Sequence, residues 1–148
     1  MRQSIWNVTG GVLLAALMTA APASAQQFGA RGGASIDPDG AYVGAHIETG
    51  PLTDRLYFRP NLEAGFGDIT MASVNFEFVY KFPRRSDWGM YVGAGPGVHF
   101  YNRNRGSSTD GGLNILVGVE QSSGLFFEFK VGVYGSPDAK FGVGYTFR

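Results

Sequence analysis

Residues 55–83 read RLYFRPNLEAGFGDITMASVNFEFVYKFP, and the character of the side chain changes at every step. Leu56, Phe58, Pro60, Leu62, Ala64 and Phe66 make one row, and Tyr57, Arg59, Asn61, Glu63, Gly65 and Gly67 the other. After Asp68 the pattern resumes. Ala72, Val74, Phe76, Phe78, Tyr80 and Phe82 alternate with Ser73, Asn75, Glu77 and Lys81, broken only by Met71 and Val79. A period of two belongs to a β-strand, whose successive side chains point to opposite faces. The stretch therefore dictates two long strands and a tight turn, with one face apolar throughout and the other polar or glycine.

The same period recurs downstream. Residues 41–49, 88–101, 113–120, 125–134 and 140–147 each alternate, separated by turn chemistry such as Asp37-Pro38-Asp39-Gly40, PRRSD at 83–87 and QSSG at 121–124. Residues 28–36 alternate weakly through their glycines and supply an eighth candidate strand. The run NRNRGSSTDGG at 102–112 reads as the longest loop. Sequential strands with short connections predict an all-β, antiparallel up-and-down meander.

The first 25 residues stand apart. Arg2, the short apolar run GVLLAALMTAA at 11–21 and the small residues Ala23-Ser24-Ala25 have the form of a cleaved secretory signal peptide. The run is shorter than the ~20 residues a helix needs to span a bilayer. One domain over residues 26–148 is expected to follow, and no later run is long enough for a helical span, which excludes a helical inner-membrane protein.

Alternation fits a soluble barrel with an apolar inside and a membrane barrel with an apolar outside. Three features favour the second. Glycine sits mainly on the polar row, as at Gly65, Gly93, Gly95, Gly97, Gly118, Gly132, Gly142 and Gly144. Glycine weakens a solvated face but makes room in the lumen of an eight-stranded barrel, which only just holds its side chains. The strand charges Glu48, Arg59, Glu63, Glu77, Lys81, Glu120, Glu128, Lys130 and Lys140 all avoid the apolar row, where lipid would penalise a base by about 2–4 kcal/mol. Aromatics mark the ends of that row, Phe82, Trp88 and Phe147 at one rim and Phe66 and Phe100 at the other. A closed ladder leaves no strand edge in lipid, which supports the weak eighth strand. Pro60 and Pro96 cannot donate to such a ladder, so a bulge or local break is expected at each.

With the signal ending Ala23-Ser24-Ala25, the strand WGMYVGAGPGVHFY, the run GLFFEFKVGVYG and the ending KFGVGYTF, the chain resembles the small Gram-negative outer-membrane β-barrel proteins of the OmpX and OmpA membrane-domain type. The resemblance is one of pattern over residues 26–148. It implies an eight-stranded transmembrane barrel in the outer membrane, in contact with its lipid and lipopolysaccharide and inserted by the barrel-assembly machinery. Such chains usually end on an aromatic residue; here Arg148 follows Phe147.

Chemistry is sparse. Balanced charge gives no basic face for nucleic acid, and the absence of cysteine removes thiol chemistry and Cys-metal sites. The two histidines, His46 and His99, are far apart and form no metal motif, and Asp37-Pro38-Asp39-Gly40 lacks the remaining ligands of a calcium loop. Gly93 to Gly97 lies mid-strand with no helix after it, so it is not a phosphate loop. His99-Phe100-Tyr101-Asn102 resembles the His-x-Ser-Asn of outer-membrane lipid A deacylases, but Tyr101 stands in the nucleophile's place. No catalysis, cofactor or metal is expected.

The inward row carries the candidate site. Arg59, Glu63, Glu77, Glu128 and Lys130 are expected to form a lumen charge network, with carboxylates in excess and Arg59, as the only arginine at mid-depth, forking to two of them. Arg103 and Arg105 in the long loop are candidates for lipopolysaccharide phosphate. The leading functional expectation is a structural or surface-interaction barrel with a plugged lumen. The alternatives are a small, weakly cation-preferring pore and a soluble periplasmic lipocalin-like carrier.

Overall fold

The computed structural model describes residues 26–37, 39–134 and 137–148. The signal peptide assigned to residues 1–25 lies outside them, as do Pro38 of the first turn and Gly135 and Ser136 of the last.

Eight strands run in sequence: β1 (Gln27–Ile36), β2 (Gly40–Glu48), β3 (Leu56–Gly67), β4 (Thr70–Lys81), β5 (Trp88–Arg103), β6 (Gly106–Gln121), β7 (Leu125–Val133) and β8 (Ala139–Phe147). Each pairs antiparallel with the next, and β8 returns to β1 through a ladder running from Phe28–Phe147 to Ile36–Ala139. The barrel is closed, and the glycine-rich 28–36 segment is its eighth strand. The near end carries the start of β1, the end of β8 and the turns at 49–55, 82–87 and 122–124. The far end carries the other turns, two of which are tied to the first: Asp68 N–H donates to the Asp39 carbonyl and Asp138 N–H to that of Asp37, both at 3.3 Å.

The apolar row faces outward. Phe28, Leu62, Met90, Ile115, Phe141 and Phe147 are each at least half exposed, while Arg59, Asn75, Glu77 and His99 are at 0%. That is the inverse of a lipocalin. Two neighbouring outward positions depart from the pattern, Phe58 and Pro60, both buried, and Phe58 is only 1% exposed. Thr49 binds it through both backbone groups, N–H to the Phe58 carbonyl at 3.0 Å and Oγ1 from the Phe58 N–H at 3.2 Å, and its ring lies 5.2 Å from that of Phe78.

Inside, glycine makes the room that bulky neighbours use. A Cβ on Gly118 would stand 2.4 Å from the Tyr91 hydroxyl, on Gly142 2.2 Å from that of Tyr42, and on Gly144 2.3 Å from the Phe126 ring. Aromatics ring the near rim in pairs, Tyr80 with Phe82, Trp88 with Phe127 and Tyr145 with Phe147.

The two prolines break the ladder without a bulge. The β2–β3 ladder ends at His46–Asn61, so Pro60 and Arg59 stand opposite Ile47 and Glu48 unpaired. The β4–β5 ladder skips the positions of Pro96 and Gly95 and resumes at Phe78–Ala94 in the same register. A missing N–H removes a rung, but no extra residue enters, so no side chain changes face. Phe76 lies between the prolines, paired with Pro60 on one side and facing Pro96 on the other.

The expected long loop at 102–112 is not a loop. β5 and β6 pair continuously to Arg103–Gly106, and Asn104 and Arg105 alone form the turn. Ser, Thr and Gly read as loop chemistry, yet pairing with the apolar and aromatic β5 holds them extended. On its other side, β6 joins β7 only from Leu113 onward. Among the described residues nothing pairs with this side of Gly106 to Gly112, an edge of roughly 23 Å along the strand.

Candidate functional site

The inward parity of eight strands delivers the charged side chains to one lumen. At the near end Arg59 donates Nε and Nη2 to Glu48 at 3.0 and 2.6 Å. Lys81 Nζ lies 2.5 Å from Glu48 and 3.0 Å from Glu120. Arg84, folded over Gly89, and Arg148 both donate to Glu120 at 2.9 Å. Deeper, Glu128 accepts from Arg59 at 3.3 Å, Arg31 at 3.0 Å and the Tyr91 hydroxyl at 2.8 Å, with Lys130 at 3.8 Å. Lys130 reaches Glu63 at 3.4 Å and donates to Glu77, and Lys140 donates to Glu63.

Traced from the near end, Arg148, Glu120, Lys81, Glu48, Arg59, Glu128, Lys130, Glu63 and Lys140 form one path in which the sign alternates at every contact. Buried charges need such partners, because an unpaired one costs several kcal/mol. Aromatic faces add to it, with Tyr91 4.8 Å from the Arg59 guanidinium and Tyr42 4.9 Å from Lys140 Nζ. Beside this path runs a chain of amides: Asn114 donates to Asn75, Asn75 to Asn61 (both 2.8 Å), and Asn61 to Glu77 at 2.9 Å.

All five sequence-selected residues, Arg59, Glu63, Glu77, Glu128 and Lys130, meet in this network, and Arg59 forks to Glu48 and Glu128. Two expectations are corrected. Arg59 is not the only arginine at this depth, because β1 contributes buried Arg31, which reaches Glu128 and Glu63. Carboxylates are not in excess either. Among the described residues, buried Glu48, Glu63, Glu77, Glu120 and Glu128 face Arg31, Arg59, Lys130, Lys140 and part-buried Lys81, five against five. Arg31 escaped notice because glycines obscure its strand, although its parity, opposite to Phe28 and Ala30, points it inward.

The histidines are buried in the wall. His46 Nε2 shares a hydrogen bond with Thr146 Oγ1 at 3.0 Å, and His99 Nδ1 one with Ser73 Oγ at 2.9 Å. Among the described residues no group of His, Asp and Glu could hold a metal ion. Arg103 and Arg105 sit exposed at the tip of the β5–β6 hairpin, Arg103 5.5 Å from the Tyr101 ring.

No protein-family model matches the sequence, and no curated protein matches it. Solved structures do resemble it. The N-terminal β-barrel domain of Pseudomonas aeruginosa OprF superposes with a TM-score of 0.64 at 18% identity, covering 82% of this chain and 96% of that one. Neisserial surface protein A, NspA, gives 0.64 at 16% identity, covering 82% and 94%. At these identities the likeness is one of fold: the chain has the closed eight-stranded architecture of these small barrels.

Proposed function

We propose that the protein is a bacterial outer-membrane barrel, exported through the signal peptide at residues 1–25, that conducts no solute and catalyses no reaction. It serves as a rigid scaffold presenting the β5–β6 hairpin at the cell surface. The observation that carries the reading is the alternating ion-pair path that fills the lumen from Arg148 to Lys140. A solute would have to displace paired charges that nothing else can compensate. The outward apolar row supports the membrane location, and both structural neighbours are small Gram-negative outer-membrane barrels. Each buried carboxylate, Glu48, Glu63, Glu77, Glu120 and Glu128, has a cationic partner within 4 Å, which leaves no unpaired negative charge to favour a cation and argues against the cation-preferring pore.

The catalytic reading loses support for a separate reason. Ser73 and His99 are buried, and so are Met71 and Tyr101, the next inward pair in the β4–β5 register, at most 5% exposed. Burial of this degree argues against substrate reaching the pair.

With the near end periplasmic, the hairpin projects outside the cell. Its edge from Gly106 to Gly112, unpaired on this side among the described residues, offers backbone groups of the kind that strand-adding partners use. Arg103 and Arg105 at its tip fit lipopolysaccharide phosphates. The test is heat-modifiable gel migration of the outer-membrane fraction, followed by conductance in planar bilayers. Modifiable migration without channel steps is expected; steady channels would overturn the closed lumen, and a soluble periplasmic protein the membrane location. An Arg103→Gln/Arg105→Gln variant is expected to retain less lipopolysaccharide on extraction, and unchanged retention removes that contact.

A further inference from the structure

The outer wall is not uniform. A groove of about 600 Å³ opens on it across β3 to β7, bordered by Leu56, Phe78, Tyr80, Val92, Ile115 and Phe129. Register explains it. Ala94 stands between Phe78 on one side and Ile115 on the other, so a single methyl group separates two large side chains. The backbone of Gly93 widens the depression.

The near end of this groove meets uncommitted positive charge. Arg55 directly precedes Leu56. It is held at φ 65°, its carbonyl accepting the Lys81 N–H at 2.9 Å, in a turn closed by the Leu52–Leu56 and Thr53–Leu56 backbone bonds. A non-glycine residue held in the left-handed region is maintained by its surroundings. Arg85 lies in the turn joining β4 to β5, the strands that carry Tyr80 and Val92. Both arginines are exposed, and neither makes an ion pair among the described residues. Their neighbour Arg84 turns inward to Glu120 instead. Tyr80, Phe82, Trp88 and Phe127 place an aromatic belt at the same rim.

An apolar slot whose near rim carries two exposed arginines in the adjoining turns, neither in an ion pair among the described residues, complements an amphiphile with a long acyl chain and an anionic phosphate. A second copy of the chain fits worse. Copies in one membrane share their orientation, so association through this face would bring Arg55 and Arg85 against like charge. We propose that the groove at Ala94, with Arg55 and Arg85, is a seat for one anionic glycerophospholipid of the periplasmic leaflet. The acyl chain lies along Phe78, Ala94 and Ile115, and the phosphate receives the arginines. This proposal rests on the outer-membrane reading above.

The full barrel is inserted into phosphatidylcholine vesicles containing a minor fraction of phosphatidylglycerol. Lipids retained after detergent release are counted by native mass spectrometry. Two arginines at the same rim predict a preference for phosphatidylglycerol on the order of tenfold or more. Arg55→Gln/Arg85→Gln should abolish the preference. Ala94→Leu, which fills the slot, should abolish retention with both arginines intact, and Ala94→Ile repeats that test should the leucine variant not fold. Heat-modifiable migration verifies the barrel in each variant. Insertion without lipid preference, or a preference that survives Arg55→Gln/Arg85→Gln, overturns the seat alone. Failure of the wild type to insert overturns the membrane reading with it.

Discussion

Removing Arg59 should be costly, and removing its partner as well should cost less than the two removals summed. The side chain is fully buried, bonds Glu48 through two nitrogens and Glu128 through the third, and lies over Tyr91. Taking one member out of a buried ion pair costs about 3–5 kcal/mol, because the other charge stays behind. Here both carboxylates keep partners: Glu48 keeps Lys81, and Glu128 keeps Arg31, Tyr91 and Lys130. Arg59→Met should therefore fall at the low end, about 3 kcal/mol. Adding Glu48→Gln excises one plus–minus unit and leaves the path alternating on either side, from Arg148 to Lys81 and from Glu128 to Lys140. The double variant should recover about 1–3 kcal/mol relative to the sum of the two single costs. Trp88, at the near rim, is the one tryptophan in residues 26–148 and reports urea unfolding in micelles. Strict additivity, or an Arg59→Met cost within about 0.5 kcal/mol of zero, would refute the reasoning.

Two further variants probe the wall. Val117 faces outward between Val92 and Phe129, so Val117→Arg should cost about 2–4 kcal/mol in folding titrations from vesicles. A cost near zero would mean that this face meets water. A Cβ on Gly95 would stand 1.8 Å from the Phe76 carbonyl oxygen, whereas one on Gly111 meets nothing within 4 Å. Gly95→Ala should destabilise the barrel by at least about 1–3 kcal/mol in the same titration, and Gly111→Ala should raise its stability by about 0.5–1 kcal/mol. Equal behaviour of the two would contradict the close approach of β4 and β5.

The fold was legible wherever one face is apolar without interruption, because parity then sets both strand type and side. That is why the strands of residues 55–83 and 125–134 could be read nearly to their ends, and why Arg59, Glu63, Glu77, Glu128 and Lys130 could be grouped. Legibility failed where the cause is not local. The 102–112 segment carries Ser, Thr, Asp and Gly, and is extended because Phe100 and Tyr101 pair with Thr109 and Ser108 across the strand. Phe58 is hidden by a turn, at 49–55, whose course no alternation encodes. The charge balance was misjudged through one residue, Arg31, in a strand where three of the ten residues are glycine.

The ion-pair path also bears on how the barrel can be assembled. Its contacts join residues far apart in the chain: Arg59 and Glu128 are 69 residues apart, Lys140 and Glu63 77, and Arg31 and Glu128 97. β1 and β8, first and last to be made, supply Arg31 and Lys140. A partly assembled sheet therefore exposes carboxylates whose partners have not arrived, and committing it to hydrocarbon strand by strand would carry those charges uncompensated. Closure and neutralisation have to coincide. On the outer-membrane reading proposed above, the interior chemistry would make insertion a single cooperative event, with the open sheet kept out of hydrocarbon until its two ends meet.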